Sequence, residues 1–251
     1  MTPRLALVLP YYRNPGMLAE QYRVWAAYPD QVKVQVEIIV VDDGSPEPAL
    51  AVSRPAGLPA FRLYRVLTDL PWHQHGARNL GAREADAAWL LLTDIDHVVP
   101  AGTLEVLLEL LASAEPDTVY TFGRRDAPDL RPTVNDRGQL KPHPNTFAMT
   151  KDWFWRVGGY DEDCVGYGTD AYFRARLKAA SSGRLRHLAP LFVIRYPREV
   201  IPDANSSPPG VDPKAFRNAG RRSAETQRRL AHKRKRGYAP KVLDFPWERV
   251  L

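Results

Sequence analysis

Short unbroken apolar runs alternate with helically spaced apolar positions along the first half of the chain. Leu5-Ala-Leu-Val-Leu9, stopped by Pro10, predicts a strand buried on both faces. Helical spacing from Pro15 to Tyr28 leads to a second buried run, Val36-Glu-Ile-Ile-Val-Val41, closed by the turn cluster Asp42-Asp43-Gly44-Ser45-Pro46. Phe61 to Leu67 alternates as a third strand, and Gly76 to Ala88 is Ala-rich and helical. Trp89-Leu-Leu-Leu-Thr93 is a fourth strand ending at Asp94-Ile95-Asp96. An amphipathic helix over Thr103 to Ala114 and a fifth strand over Val119 to Phe122 complete the alternation. This order predicts an α/β fold with a mostly parallel, doubly wound sheet and helices on both faces. Ligands bind beyond the carboxyl ends of such strands. Asp42/Asp43 and Asp94/Asp96 are therefore expected at one edge.

The second half is patterned differently. Arg124 to Pro144 is Pro- and charge-rich and reads as a loop, Thr146 to Val157 is rich in aromatics, and Gly158-Gly-Tyr-Asp-Glu162 is a turn. Gly166 to Ala180 opens as a Gly loop and continues as a helix, and Leu191 to Tyr196 is a late strand. A Pro/Ser/Asn-rich stretch from Arg198 to Pro213 then precedes a basic segment expected to be helical from Pro213 to about Arg236. The organisation predicted is a main domain over 1–200, in two differently patterned halves (1–123 and 124–200), and a basic extension over 201–251.

Composition narrows the class. With 44% apolar and 25% charged residues the chain is that of a globular protein with material for a core. The single cysteine, Cys164, excludes an intrachain disulfide and a Cys-rich zinc site, and fits a reducing compartment, the cytoplasm of a bacterium or of a phage-infected host. No run is long enough for an integral membrane segment. The apolar stretch within Met1 to Tyr12 lacks a small-residue cleavage site and reads as the first strand rather than a signal peptide. The net charge of +6 is uneven: Lys214 to Leu251 holds twelve Lys/Arg against three Asp/Glu. That run is either a solvated helix face or a footprint for a polyanion, nucleic acid or an anionic membrane surface contacted peripherally.

Candidate chemistry sits at the strand ends. Asp94 and Asp96, at i and i+2 in extended chain, point the same way and form a hard oxygen site suited to Mn²⁺ or Mg²⁺; the plain structural reading is a capped turn. Asp42 and Asp43 either make an Asx turn or accept hydrogen bonds from a nucleobase or ribose. Asp170, after Gly166-Tyr-Gly-Thr169, is either an acid at a helix N-terminus or a group brought close to a ligand by the glycines.

Together, Val40-Val-Asp-Asp-Gly-Ser45, Gly76-Ala-Arg-Asn-Leu-Gly81, Leu90-Leu-Leu-Thr-Asp-Ile-Asp96 and Gly158-Gly-Tyr-Asp-Glu162 with Gly166-Tyr-Gly-Thr-Asp170 resemble the family-2 glycosyltransferases of glycosyltransferase-A fold, over roughly Leu5 to Tyr196. The resemblance implies transfer of a sugar from a nucleotide sugar, a UDP-sugar being favoured, to an acceptor hydroxyl with inversion. It also implies that Asp42 and Asp43 bind the nucleoside, that Pro10 and Tyr11 line the base pocket, and that Arg78 and Asn79 lie near the nucleotide. The Asp-x-Asp pair would hold the metal, with Asp96 the direct ligand and Asp94 nearer ribose or sugar, and Asp170 would be the general base. His143, Asn145, Trp153, Gly168 and Thr169 match positions that contact donor sugar and acceptor, with core packing an equal reading for Trp153.

One departure stands out. The family's late metal-ligating His is missing after the last strand, where Arg195 and Tyr196 stand instead, and Arg195 is a candidate for neutralising the diphosphate. His187 and His143 then read as surface or packing residues, and His75, in His73-Gln-His75, as part of a donor-site loop or plain surface. The acceptor is expected to be either a hydroxymethylated base in DNA, which an enzyme must expose to reach, or a component of cell-surface polysaccharide or glycolipid synthesis. A nucleotidyltransferase would carry a Gly-rich basic loop after the first strand, where this chain has Pro10-Tyr-Tyr-Arg-Asn-Pro-Gly16. A non-catalytic nucleic-acid-binding module would leave the acidic sheet edge without a purpose.

Overall fold

A computed structural model of the chain describes residues 2–70, 73–162, 169–204, 228 and 243–251. Its strands are β1 (Leu5–Tyr11), β2 (Val36–Asp42), β3 (Ala60–Val66), β4 (Trp89–Leu92), β5 (His97–Val98), β6 (Val119–Asp126), β7 (Arg131–Pro132), β8 (Phe147–Thr150), β9 (Leu185–Arg195) and β10 (Trp247–Arg249). The helices are α1 (Pro15–Ala26), α2 (Asp30–Lys33), α3 (Gln74–Glu84), α4 (Ala101–Leu111), α5 (Lys151–Arg156) and α6 (Asp170–Ala180). No helix among the described residues is long and apolar enough to cross a membrane.

The strands form one sheet in the order β10-β3-β2-β1-β4-β8-β6-β9-β5, with β7 on β6. β3, β2, β1 and β4 run parallel, as the alternation of strand and helix requires. Beyond them the sheet is mixed: β8 is antiparallel to both β4 and β6, β9 is parallel to β6, and β5 is antiparallel to β9. Period two along each strand feeds two cores. Leu5, Leu7, Leu9 and Tyr11 of β1 pack with Trp25 and Leu104 on one face. Ala6 and Val8 pack with Leu80, Phe154 and Phe173 on the other.

Several elements differ from the sequence expectation, each for a physical reason. β1 continues through Pro10 to Tyr11, because β4 has already ended on that side: Val8 is the last residue of β1 paired with it. The missing N–H of Pro10 costs no ladder bond there. The stretch 124–144 is not loop throughout, since β6 runs on to Asp126 and β7 pairs with it. β8 was not legible as a strand because it is four residues long and runs straight into α5, where Thr150 Oγ1 caps the helix by accepting from Trp153 N–H. β9 begins at Leu185, well before the expected Leu191, because its first half is mostly exposed and carries no apolar signature.

The stretch set apart as a basic extension, 201–251, is tied to α1 at one end and to the sheet at the other. Asp203 supplies a missing N-terminal cap for α1, its carboxylate accepting from the Gly16 and Met17 N–H groups. β10 pairs antiparallel with β3, and Trp247 packs edge-on against Tyr64. The expected helix over Pro213 to Arg236 lies outside the described residues, as does Cys164.

α3 packs unusually close to the sheet through its small residues. A Cβ built on Gly81 would lie 2.4 Å from Val8 Cγ1. Gly81→Val is expected to lower stability by about 1–3 kcal/mol through overpacking, read as a lower midpoint in urea unfolding with an unchanged slope.

Candidate active site

β1, β2 and β4 all end at one edge of the sheet, and the N-terminal turns of α3 stand among their carboxyl ends. Asp43 follows β2 and faces His73, the residue before α3, while Asp94 and Asp96 follow β4 and Arg78 of α3 reaches Asp94. Gly44 makes the Asp42–Ser45 turn possible: its φ is +70°, and a Cβ there would meet the Thr68 carbonyl oxygen at 2.7 Å.

The two acids of this turn do different jobs. Asp42 is consumed by local structure: its Oδ1 accepts from Ser45 N–H (2.7 Å) and its Oδ2 from Ala49 N–H (2.9 Å), with Arg65 3.2 Å away. It forms the Asx turn, both carboxylate oxygens already accepting backbone N–H groups, so the nucleoside role the resemblance implies would have to share oxygens already engaged. Asp43 is buried, and its Oδ1 has no hydrogen-bond partner among the described residues. It lies 3.8 Å from His73 Nδ1, which is likewise buried and unpartnered. Burial, then the neighbouring Asp42 and Asp69, push the Asp43 carboxyl well above the usual range. Burial also drives the His73 imidazole down to about 4, so its ring is neutral. His73, held edge-on by Phe245, enters the sequence reading only as part of His73-Gln-His75, and nothing local marks it as facing Asp43.

Pro10 and Tyr11 do not line an open pocket. Tyr11 is fully buried in the core and donates its hydroxyl to the Glu47 carbonyl (2.8 Å). The half-buried aromatic at this strand end is Tyr12, bonded to Asp69 at 3.1 Å.

The Asp-x-Asp strand end is the centre of the constellation. Asp94 Oδ1 accepts from the Arg78 guanidinium, and its Oδ2 accepts from Asn145 Nδ2 at 3.2 Å. Asp94, His97 and His143 each offer a ligand atom, and these atoms all lie within 4.8 Å of one another. His97 Nδ1 is bonded to Asp96 Oδ1 (2.7 Å), which leaves Nε2 buried and unpartnered among the described residues. His143 Nδ1 is bonded to Thr146 Oγ1 (2.7 Å), and its Nε2 lies 3.9 Å from Asp94 Oδ2. The two imidazoles stack with ring centroids 3.8 Å apart. Burial, with His97 and three arginines nearby, holds His143 well below the usual histidine range, and a neutral imidazole is the metal-binding form. Burial raises the Asp94 carboxyl, against the pull of Arg78.

The donor set fits a divalent cation, and it differs from the expectation in two ways. Asp94 rather than Asp96 belongs to the cluster, and Asp96 instead fixes His97 through its Nδ1, as a carboxylate does behind an imidazole that could ligate a metal. His143 is not a surface histidine: it is buried beside Asp94. Sequence reasoning does not single out His97; its place next to Asp96 is the signal that marks it.

Asp170 begins α6 and is buried. Its Oδ2 accepts from Arg174, which also donates to Asn145 Oδ1 (2.7 Å). Asn145 therefore joins Arg174 to Asp94, and the expected base and the expected metal-site acid belong to one connected polar chain. Arg195 lies opposite His97 in the β5–β9 pairing, 4.0 Å from Asp126.

Other expected residues serve as scaffold. The Asn79 amide is spent on Tyr160 N–H, the Tyr160 carbonyl and Glu162 Oε1, each at 2.8 Å, so it locks the 158–162 turn onto α3 rather than facing a nucleotide. Both ring nitrogens of His75 are used, on the Asp161 carbonyl (2.9 Å) and Thr169 Oγ1 (3.3 Å). Trp153 donates to Ser181 Oγ (3.0 Å) at the far end of α6, a helix about 16 Å long, and so packs away from Asp170. His187 is exposed and bonded to Thr121 and the Leu140 carbonyl. Gly168 lies outside the described residues.

Comparison with known proteins agrees with this geometry. Residues 8–173 match Glycosyl transferase family 2. Over 119 residues, 47% of this chain and 34% of the relative, the chain is 32% identical to a Mycobacterium tuberculosis protein named as a glycosyltransferase. It is 29% identical, over 47% of its length and 36% of the relative, to the undecaprenyl-phosphate 4-deoxy-4-formamido-L-arabinose transferase of Sodalis glossinidius. The chain spans about a third of the length of these curated relatives. Its fold is similar to that of S. aureus TarS 1-349 crystallised with UDP-GlcNAc, with a TM-score of 0.63 at 16% identity, over 85% of this chain and 63% of that one. With the family match running from β1 into α6 and the acids of its motifs gathered at one sheet edge, the chain belongs to glycosyltransferase family 2 and has the glycosyltransferase-A architecture.

Proposed function

We propose that this chain inverts the anomeric centre as it moves a sugar from a nucleoside diphosphate, a UDP-sugar being favoured, to an acceptor hydroxyl. The observation that carries the reading is the continuous link from Asp94 through Asn145 and Arg174 to Asp170, which sets a candidate base beside a candidate leaving-group site. Asp170 takes the acceptor's proton as its oxygen attacks the anomeric carbon, and the bond to the diphosphate breaks on the opposite side. A single displacement with one base inverts the centre. Asp94, His97 and His143 would hold Mn²⁺ or Mg²⁺, which when bound neutralises charge gathering on the diphosphate. The two nitrogen donors favour Mn²⁺ of the pair. Arg78, beside Asp94, steadies that acid and adds positive charge. Asp43, with an unpartnered buried oxygen, is the acid suited to accept from the nucleoside. The UDP-GlcNAc bound to TarS supports the donor class.

For the acceptor, the undecaprenyl-phosphate named for two relatives favours a lipid-linked or polysaccharide acceptor met at the cytosolic face of a membrane. A second reading, DNA, is favoured by charge: residues 124–200 hold fourteen Lys/Arg against nine Asp/Glu, and Lys214 to Leu251 is more basic still.

Asp170→Asn is expected to lower transfer by about 10²–10⁴-fold while donor affinity, measured by calorimetry, stays near wild type; wild-type turnover would remove the base assignment. Chelation should abolish activity and Mn²⁺ restore it, and His143→Ala should weaken Mn²⁺-supported donor binding at least about tenfold. Unchanged binding in that variant would refute the ligand set. Activity on hydroxymethyl-containing DNA and on polyprenyl-phosphate-linked acceptors, each titrated with salt, separates the two acceptors: only a true polyanion acceptor loses affinity steeply and also turns over.

A further inference from the structure

Among the described residues, Arg174 is the one charged side chain bonded to both Asp170 and the residue leading to Asp94. It donates to Asp170 Oδ2 and to Asn145 Oδ1 (2.7 Å), while Asn145 Nδ2 donates to Asp94 Oδ2 (3.2 Å). Asp170 and Arg174 stand at i and i+4 on α6, a spacing that is common on helix surfaces for modest stabilisation alone. Here the acid is buried, and the arginine is anchored from across the site by a residue of another segment.

We propose that Arg174 is a positioning residue for the base: anchored by Asn145, it holds Asp170 by its Oδ2 and so leaves Oδ1 turned to receive the acceptor's proton. The inference rests on Asp170 being the base. The physical need for such a partner is specific. A buried carboxylate is tolerated where a charged partner and hydrogen bonds offset its lost hydration. The groups facing Asp170 are His75 and Arg78 from α3, Asp94 from the end of β4, Tyr160 from the turn before α6, and Arg174 from its own helix. Tyr160 is neutral at working pH, and burial keeps His75 below the usual histidine range. Arg78 is engaged with Asp94. Arg174 is thus the cation given over to Asp170. In the transfer the acceptor O–H bond breaks, the proton goes to Asp170, and Arg174 keeps all of its own protons. Asn145 holds the guanidinium in place, which ties the aim of the base to the position of Asp94.

The test compares Arg174→Ala, Arg174→Lys, Asn145→Ala and Asp170→Asn in the full chain, with kcat, donor KM and thermal midpoint as readouts. Arg174→Ala should lower kcat about 10²-fold and leave donor KM within a small factor. Arg174→Lys keeps the charge but shortens the reach, so it should recover only part of kcat. Asn145→Ala should lower kcat with donor KM unchanged, because the guanidinium loses its anchor. A purely structural pair would lower the thermal midpoint and leave kcat in place, and that result with Asp170→Asn inactive overturns the role of Arg174 alone. Turnover by Asp170→Asn would instead remove the base reading and this inference with it. Should the alanine variant fail to fold, wild-type kcat in Arg174→Lys is the overturning result.

Discussion

The site is organised around a guanidinium removed from water. Arg78 is 1% exposed, and its Nε has no partner among the described residues. Such a charge is tolerated only where several groups offset its lost hydration. Asp94 supplies a carboxylate, the Asn145 carbonyl a weaker contact at 3.5 Å, and Tyr160 the face of a ring 5.4 Å from the guanidinium carbon. These partners come from β4's end, the 143–146 stretch and the 158–162 turn, so satisfying one cation brings three distant segments together. The position of α3 is in turn set by its small residues, which let it approach Val8 and Val41 closely enough for Arg78 to reach inward. Packing at the glycines and electrostatics at the strand end are therefore one constraint.

A second consequence of burial is that charges here are divided by function. The stacked pair His97 and His143 is compatible with close ring contact because His143 is kept neutral, and two imidazolium rings at 3.8 Å would repel. Asp96 and Thr146 take the inner nitrogens of these rings and so fix which nitrogen remains available. The stretch after residue 123 contributes Asn145 and Asp170, and the stretch before it contributes Asp94 and Arg78. Neither half holds a complete set.

What could be read in advance followed the range of the interactions. β1, β2 and β4 were legible because burial on both faces leaves continuous apolar runs, and their terminal acids could be placed at one edge from topology alone. The family could be read because four motifs stood in order. The division of labour inside each motif was hidden: Asp42 and Asp43 are neighbours of the same type, yet one is consumed by Ser45 and Ala49 and the other faces His73. Asn79 matched a nucleotide motif and turned out to hold Tyr160, because the turn that claims its amide lies about eighty residues away. β8 and β10 are too short to show a period, and their existence depends on partners far along the chain.

The antiparallel strand β10 has a practical bearing on how this protein is handled. Glu162 accepts from the Leu243 N–H (2.8 Å) and the Asp244 N–H (3.3 Å), Phe245 presses on His73, and Trp247 covers Tyr64. A chain cut before Leu243 to shed its basicity would also strip the outer margin of the sheet, leaving β3 with unsatisfied N–H and C=O groups open to self-association. It would free His73 as well, next to Asp43. Trimming that spares both moorings, Asp203 and the Leu243–Leu251 clasp, is the cleaner way to separate charge from architecture.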